Sequence, residues 1–250
     1  MTTLAGFLIA LTIGLTGIGG GVLTAPVLLL FLGMPASLAV GTALVFVAIV
    51  KLFAAPMFVI RGQVNYRVLA LLLAGGLPGA LCGSLLLEKL HTKGLNGPLL
   101  LLLGLTIVFS ASINFLRKQS GAVNGTSKLK RLPFISLPIG VEVGFSSAGA
   151  GALGSLALMH WTTLTAAEVV GTDILFGFGL SVAAGSIHLS YGGVDSNVLR
   201  LLLLGGVPGS LLGAWLATIF PTRALRKGLS VWLIYLGANL CWRGIGSLAH

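Results

Sequence analysis

Apolar runs of roughly membrane-spanning length alternate with short polar connectors along the whole chain. The runs cover about Leu4–Leu32, Leu38–Ile60, Val68–Leu87 and Leu95–Leu116, then Leu132–His160, Leu164–Leu189, Val198–Ile219 and Ala224–Leu240. A helix needs about 20 apolar residues to cross a bilayer, and lipid-exposed backbone must satisfy its own hydrogen bonds, which favours helices. The pattern predicts an all-α polytopic membrane protein with about eight hydrophobic segments. The connectors are Met34-Pro-Ala-Ser37, Arg61–Arg67, the stretch from Glu88 to Lys93, and a longer basic loop from Arg117 to Arg131. The run from Leu95 to Leu116, mostly leucine, reads as a lipid-facing span.

The first run is too long for one crossing and too short for two. Five glycines fall within Gly14–Gly21, and Pro26 follows. Glycine frees the backbone to unwind and proline removes a donor, so a helix broken at this stretch is expected, either as an interrupted span or as a re-entrant hairpin. Unwound backbone at membrane depth survives where it lines a polar cavity. There the N-terminus of a half-helix presents free N–H groups and a positive dipole end to an anion.

The chain repeats itself. One constant offset in residue number carries Gly14, Gly19 and Gly21 onto Gly144, Gly149 and Gly151, and Val40-Gly-Thr42 onto Val170-Gly-Thr172. It also carries Phe46 onto Phe176, Gly62 onto Gly192, and Gly75-Gly76, Pro78-Gly79 and Gly83 onto Gly205-Gly206, Pro208-Gly209 and Gly213. Glycine and proline matches mean more than leucine matches in so apolar a chain. One transmembrane domain over residues 1–250 is therefore expected to hold repeat 1 (1–116), the basic connecting loop (117–131) and repeat 2 (132–250), with the first segment of each repeat broken. Single crossings by the glycine segments would make the repeats parallel; hairpins would make them inverted. The loop charges favour the hairpin arrangement by one residue. Glycines at every fourth position in Gly75–Gly83 and Gly205–Gly213 form strips for close helix packing.

Composition agrees with this class. Hydrophobic residues make up 56% and charged residues 8%, at a mean hydropathy of +1.06, whereas a soluble domain has about a quarter charged residues. The net charge of +10 resides mainly in connectors, as topology signals and headgroup contacts do, and gives no reason to expect nucleic acid. Five basic residues and no acid in the 117–131 loop predict a cytoplasmic position. Cys82 and Cys241 suggest neither a disulfide framework nor a zinc site, and the N-terminus shows no signal-peptide pattern. There is no catalytic triad, metal motif or nucleotide loop, so an enzyme, a cofactor and a metal are not expected.

Few residues remain to carry chemistry. Lys51 lies near the middle of its run, where an ammonium costs about 2.5–3.5 kcal/mol to insert; it should face a carboxylate or an anionic substrate. Asp173 and Glu142 are intramembrane carboxylates, a class that is rare and usually functional. Glu168 reads as an interfacial carboxylate at a helix start, Glu88 and Asp195 as solvated connector residues, and His160 and His188 as structural histidines near helix ends.

These residues together resemble the sulfite exporter TauE/SafE family of membrane transporters (4-toluene sulfonate uptake permease-like). The resemblance rests on Gly17-Ile-Gly-Gly-Gly21 with Pro26, Val40-Gly-Thr42, the doubled Gly-Gly-x-Pro-Gly, Val170-Gly-Thr-Asp173, Lys51, His188 and Gly192-Gly-Val-Asp195. It covers nearly the whole chain and implies a multi-pass protein of the cell (inner or plasma) membrane that moves small anions, chiefly sulfur oxyanions or organosulfonates such as sulfite and sulfoacetate. Two positions depart from the family pattern: Ser181 stands where a second lysine is common, and the second glycine stretch is Gly149-Ala-Gly151. The expected function is secondary transport of such an anion by alternating access between the repeats. Gly19, Gly20, Gly21, Gly149, Gly151, Thr42, Thr172 and Lys51 are the expected substrate-binding residues, with Glu142 and Asp173 as proton-coupling candidates. The rival readings are a passive anion channel and a non-transporting membrane scaffold. Expected partners are the small anion and the lipid bilayer; a homo-oligomer stays open.

Overall fold

The computed structural model describes residues 2–16, 20–92, 96–116, 129–147, 150–216 and 223–246. Among them are ten α-helices: α1 (Thr2–Thr16), α2 (Gly20–Phe31), α3 (Ala36–Ile60), α4 (Tyr66–Thr92), α5 (Asn96–Leu116), α6 (Leu132–Ser146), α7 (Ala150–Trp161), α8 (Ala166–Ser190), α9 (Ser196–Leu216) and α10 (Arg223–Gly246). A short 3₁₀ turn, Leu129–Arg131, leads into α6. Four helices are long and apolar enough to cross a membrane: Ala36–Ile60, Tyr66–His91, Ala166–Ser190 and Ser196–Leu216. The chain is thus all-helical among its described residues, with ten helices where the hydrophobic pattern counts about eight segments. Two runs account for the difference, because Leu4–Leu32 holds both α1 and α2 and Leu132–His160 holds both α6 and α7. Residues 17–19 and 148–149, including Gly19 and Gly149, lie outside the described residues. The end of α6 is described: Ser147 caps it in the left-handed region at φ 64°, a conformation that stops a helix.

Glycine strips set the closest contacts. A Cβ at Gly205, Gly209 or Gly213 would fall onto the carbonyl oxygens of Thr3, Phe7 and Leu11, so α1 and α9 run side by side in the same sense. In the same way Gly75, Gly79 and Gly83 of α4 lie against the carbonyls of Pro133, Leu137 and Val141 of α6, and Gly140 and Gly144 of α6 against those of Gly76 and Ala80. Hydrocarbon supplies no hydrophobic drive between helices, so such backbone approach is what holds them. Ser84 adds a hydrogen bond across the second seam, to the Gly144 carbonyl at 3.3 Å.

Between these seams lies a central antiparallel pair. Gly41 meets Gly193, Gly171 meets Gln63, and Gly185 meets Val45, which fixes α3 and α8 in opposite senses. Phe46 of α3 and Phe176 of α8 are both fully buried, each ring filling the space beside a glycine of the neighbouring helix, Gly206 of α9 and Gly76 of α4 respectively. Each central helix then turns sharply at a glycine with positive φ, Gly62 at 66° and Gly192 at 71°, where a side chain would be strained. Large apolar side chains cover the outside, among them Ile60 at 84%, Phe134 at 80% and Trp242 at 79% exposure, as lipid contact requires.

The Leu95–Leu116 run departs from the expectation of a plain lipid-facing span. One face of α5 is buried against α10: Leu103, Ile107 and Ala111 are enclosed, and Gly104 abuts Gly237 and Cys241. A leucine-rich run hides this face because the close contact is made at a single glycine, Gly104.

Candidate functional site

The central pair carries the charge. Lys51, on α3, is fully buried and its Nζ makes no hydrogen bond. The register of α3 on α8 carries it to the level of the buried Ser181. The charged group acting on Lys51 is Asp173, two turns or so away on the facing helix. An enclosed ammonium without hydrogen bonds is costly to maintain.

Asp173 is tied to the second glycine stretch. Its Oδ2 lies 2.9 Å from Ser155 Oγ, and the single hydrogen of that hydroxyl is shared between Asp173 and the Gly151 carbonyl, 2.7 Å away. Asp173 also packs so tightly on Gly154 that a methyl there would strike its Oδ1. α7 and α8, joined by the connector 162–165, therefore lie antiparallel, with the first turns of α7 against the carboxylate. Thus Gly151, Ser155 and Asp173 form one buried chain that ends in the field of Lys51. Ser155 is a residue the sequence reading missed; its signal is a serine four residues after Gly151, on the same helix face.

Ser147, also missed, is buried, and its Oγ has no hydrogen-bond partner at the end of α6. Glu142, on α6, is partly buried with Oε1 enclosed and unpartnered; its backbone carbonyl accepts from Ser146. Gly20 and Gly21 open α2, and Gly151 lies buried in the first turn of α7.

Thr42 and Thr172 serve a different geometry. Thr42 Oγ1 accepts from the Asp195 N–H at 3.0 Å, and Thr172 Oγ1 accepts from the Asn65 N–H at 3.1 Å. Each threonine braces the connector that precedes a helix of the other half of the chain, and Asp195 and Asn65 in turn cap α9 and α4 through the Val198 and Val68 N–H groups. Along α3, nine residues, or about 14 Å of rise, separate Thr42 from Lys51. Asp195 is accordingly a cap, engaged through both backbone and side chain, where a solvated connector residue was expected.

Glu88 calls for a larger correction. It is buried at 6% exposure, as is His188 at 0%. His188 Nδ1 lies 2.7 Å from Glu88 Oε1, and Ser37 Oγ donates to the same oxygen at 2.7 Å. The helix α4 runs on past the apolar run to Thr92, which brings Glu88 inside the bundle. Glu168, by contrast, sits as expected at a helix start, in a capping box with Thr165. His160 is exposed and stacks edge-on with Trp161.

An apolar cleft of about 590 Å³ opens between α1, α2 and α10, lined by residues such as Leu8, Ile9, Leu23, Val27, Phe31 and Trp232. It contains none of the charged residues and has the character of a lipid-facing groove.

The glycine-seamed helical bundle with a charge buried at its middle defines a polytopic membrane protein of the transporter class. The model of the sulfite exporter TauE/SafE family matches residues 2–240, and the chain belongs to that family. It is 32% identical to "Probable membrane transporter protein YjnA" of Bacillus subtilis (strain 168) over 95% of this chain and 97% of that one. It is 25% identical to a "Probable membrane transporter protein" of Xylella fastidiosa (strain 9a5c), covering 98% and 95%. With "Probable membrane transporter protein YunE" of Bacillus subtilis it shares 24%, over 96% of each. No solved structure matches the chain significantly.

Proposed function

We propose that this protein is a secondary transporter of a small sulfur-containing anion, a sulfur oxyanion or organosulfonate, in the cell (inner or plasma) membrane. The observation that carries the reading is Lys51: a fully buried ammonium, without a hydrogen bond, at the middle of the central helix pair. An anion bound there offsets the cost of burying that charge, and the first turn of α7 around Gly151, with its counterpart at Gly20 and Gly21, adds N–H groups and a favourable dipole end. Asp173 offsets part of the Lys51 charge through space when no anion is present, and Glu142 or Asp173 takes up a proton when an extra negative charge enters. Thr42 and Thr172 keep the frame of the site in register by bracing the connectors.

Two inverted repeats, residues 1–116 and 132–250, rock against one another about this centre, with the 117–131 loop on the cytoplasmic side. Helix senses support the inversion. α1 runs with α9, α6 runs with α4, and α3 runs against α8, so equivalent helices of the two halves point in opposite directions. The family's description as sulfite exporters supports the substrate class.

A thermal-stabilisation screen of purified protein against sulfite, thiosulfate, sulfoacetate, sulfate and acetate tests the reading. One or more of the sulfur anions should raise the melting temperature of the wild type and leave that of Lys51→Met unmoved. Equal stabilisation of both proteins refutes the role of Lys51; absence of stabilisation by every sulfur anion refutes the substrate class.

A further inference from the structure

The Ser37–Glu88–His188 cluster lies apart from Lys51 and is used by nothing described so far. It stands at one end of the central pair, where the start of α3 and the end of α4 meet the end of α8. Glu88 Oε1 receives both the Ser37 hydroxyl and His188 Nδ1, each at 2.7 Å. Gly193, just after α8, packs against the same group: a Cβ there would lie 3.2 Å from Glu88 Oε1 and 3.4 Å from Ser37 Oγ. The His188 carbonyl accepts from the Gly193 N–H at 2.7 Å, so the imidazole is held by its own backbone turn. His188 is completely enclosed and its Nε2 has no hydrogen-bond partner.

Among the described residues, the other end of the bundle shows no such cluster. Under the repeat offset His188 corresponds to Phe58 and Ser37 to Ala167, and Phe58 packs beside Gly171. A buried carboxylate–imidazole pair is therefore described at one of the two ends, across the contact between the N-terminal and C-terminal halves of the chain.

We infer that the Glu88–His188 pair is a proton-binding site that latches the two halves together at this end of the bundle. With Nδ1–H donating to the carboxylate, Nε2 carries a lone pair and is the open position for a proton. Taking a proton from hydronium forms one N–H bond as one O–H bond of the hydronium breaks to leave water, and no bond within the protein is broken. The pair then changes from imidazole–carboxylate to imidazolium–carboxylate, a charge-assisted contact and the stronger of the two. Proton uptake closes the latch, and proton release loosens it. Other charged or titratable groups near this end are Lys89 and His91 on α4, and Tyr191 and Asp195 in the connector after α8. Tyr191 is exposed, and Asp195 is occupied with the Asn197 and Val198 N–H groups. This inference uses the proposed transport activity for one of its two tests only.

The first test is ¹⁵N NMR of histidine-labelled wild-type protein at about pH 8 and about pH 5.5, which bracket the ordinary histidine range. His188 should keep Nδ1 protonated throughout while Nε2 passes from bare to protonated; an Nε2 in one state at both pH values overturns the inference. Assignment comes from His188→Gln, or, should that variant not fold, by exclusion with His91→Gln, His160→Gln and His250→Gln. The second test is counterflow of thiosulfate and sulfoacetate in proteoliposomes with the pH on each side varied separately. Wild type and His91→Gln should slow several-fold when one side, and only that side, is made acidic. In His188→Gln and Glu88→Gln this response should vanish, and in Ser37→Ala, which spares the pair but removes the second donor to Oε1, its midpoint should move. A response that persists in a folded His188→Gln or Glu88→Gln protein, has the opposite sign, or keeps its midpoint in Ser37→Ala overturns the latch. Wild type without counterflow of either anion would count against the transport reading, while the NMR result still decides the proton site.

Discussion

Gly79→Ala tests whether the glycine seams, and not general apolar attraction, hold this bundle together. The added methyl would fall onto the Leu137 carbonyl oxygen, with the Leu137 carbonyl carbon at 3.1 Å and the Val141 nitrogen at 3.0 Å. Ordinary contact begins near 3.4 Å, so even these two atoms are too close. All three belong to the backbone of α6, which no rotamer change can move. Nor can α6 shift freely, because Gly140 and Gly144 are seated against the carbonyls of Gly76 and Ala80 on the same seam. Overpacking of this kind costs about 1–3 kcal/mol, set against about 0.5–1 kcal/mol gained when alanine replaces a helical glycine. The backbone clash places the cost at the upper end, so net destabilisation is expected. Each kcal/mol corresponds to about 2–4 °C in a chain of this size, and a fall of several degrees should appear in detergent-solubilised protein followed by tryptophan fluorescence or a thiol-reactive dye. Gly209→Ala, against Phe7, should behave alike. Gly246→Ala is the control, since nothing lies within 4 Å of its added carbon, and it should be neutral or slightly stabilising. A Gly79→Ala protein that melts with the wild type would refute the seam argument.

Three further outcomes are expected. Lys51→Met should insert and fold yet lose anion-dependent stabilisation, and adding Asp173→Asn should restore stability lost from the stranded carboxylate without restoring binding; restored binding in the double variant would make Lys51 a structural partner only. Ser155→Ala removes the donor to the buried Asp173 Oδ2, at a cost of about 1–3 kcal/mol, read as a lower melting temperature; Ser155→Thr, which keeps a hydroxyl, should recover part of it. A cysteine at Asn124, which lies outside the described residues, should resist an impermeant thiol reagent added to whole cells in a Cys82→Ser, Cys241→Ser background, and ready labelling would place the 117–131 loop outside.

Much of this molecule was legible in one dimension. A hydrocarbon environment admits few backbone solutions, so run lengths alone imply membrane helices. Glycine and proline spacing exposes the constant offset between the halves and the strips that become the α1–α9 and α4–α6 seams. An ammonium at mid-span is so costly that Lys51 could be singled out without coordinates. What the sequence could not fix is which helices face each other. Tertiary packing decided that α1 lies along α9 and not along its own neighbours, and that Thr42 and Thr172 brace connectors from the other half. It carried Glu88, in a stretch that reads as a polar loop, into the interior against His188, 100 residues away. Periodicity reports the environment of a residue's own helix face; a partner across the bundle leaves no local trace. For that reason Lys51 was singled out through its cost, while Ser155 and the Ser37–Glu88–His188 cluster, each paired with a group on another helix, emerged only when the helices were packed.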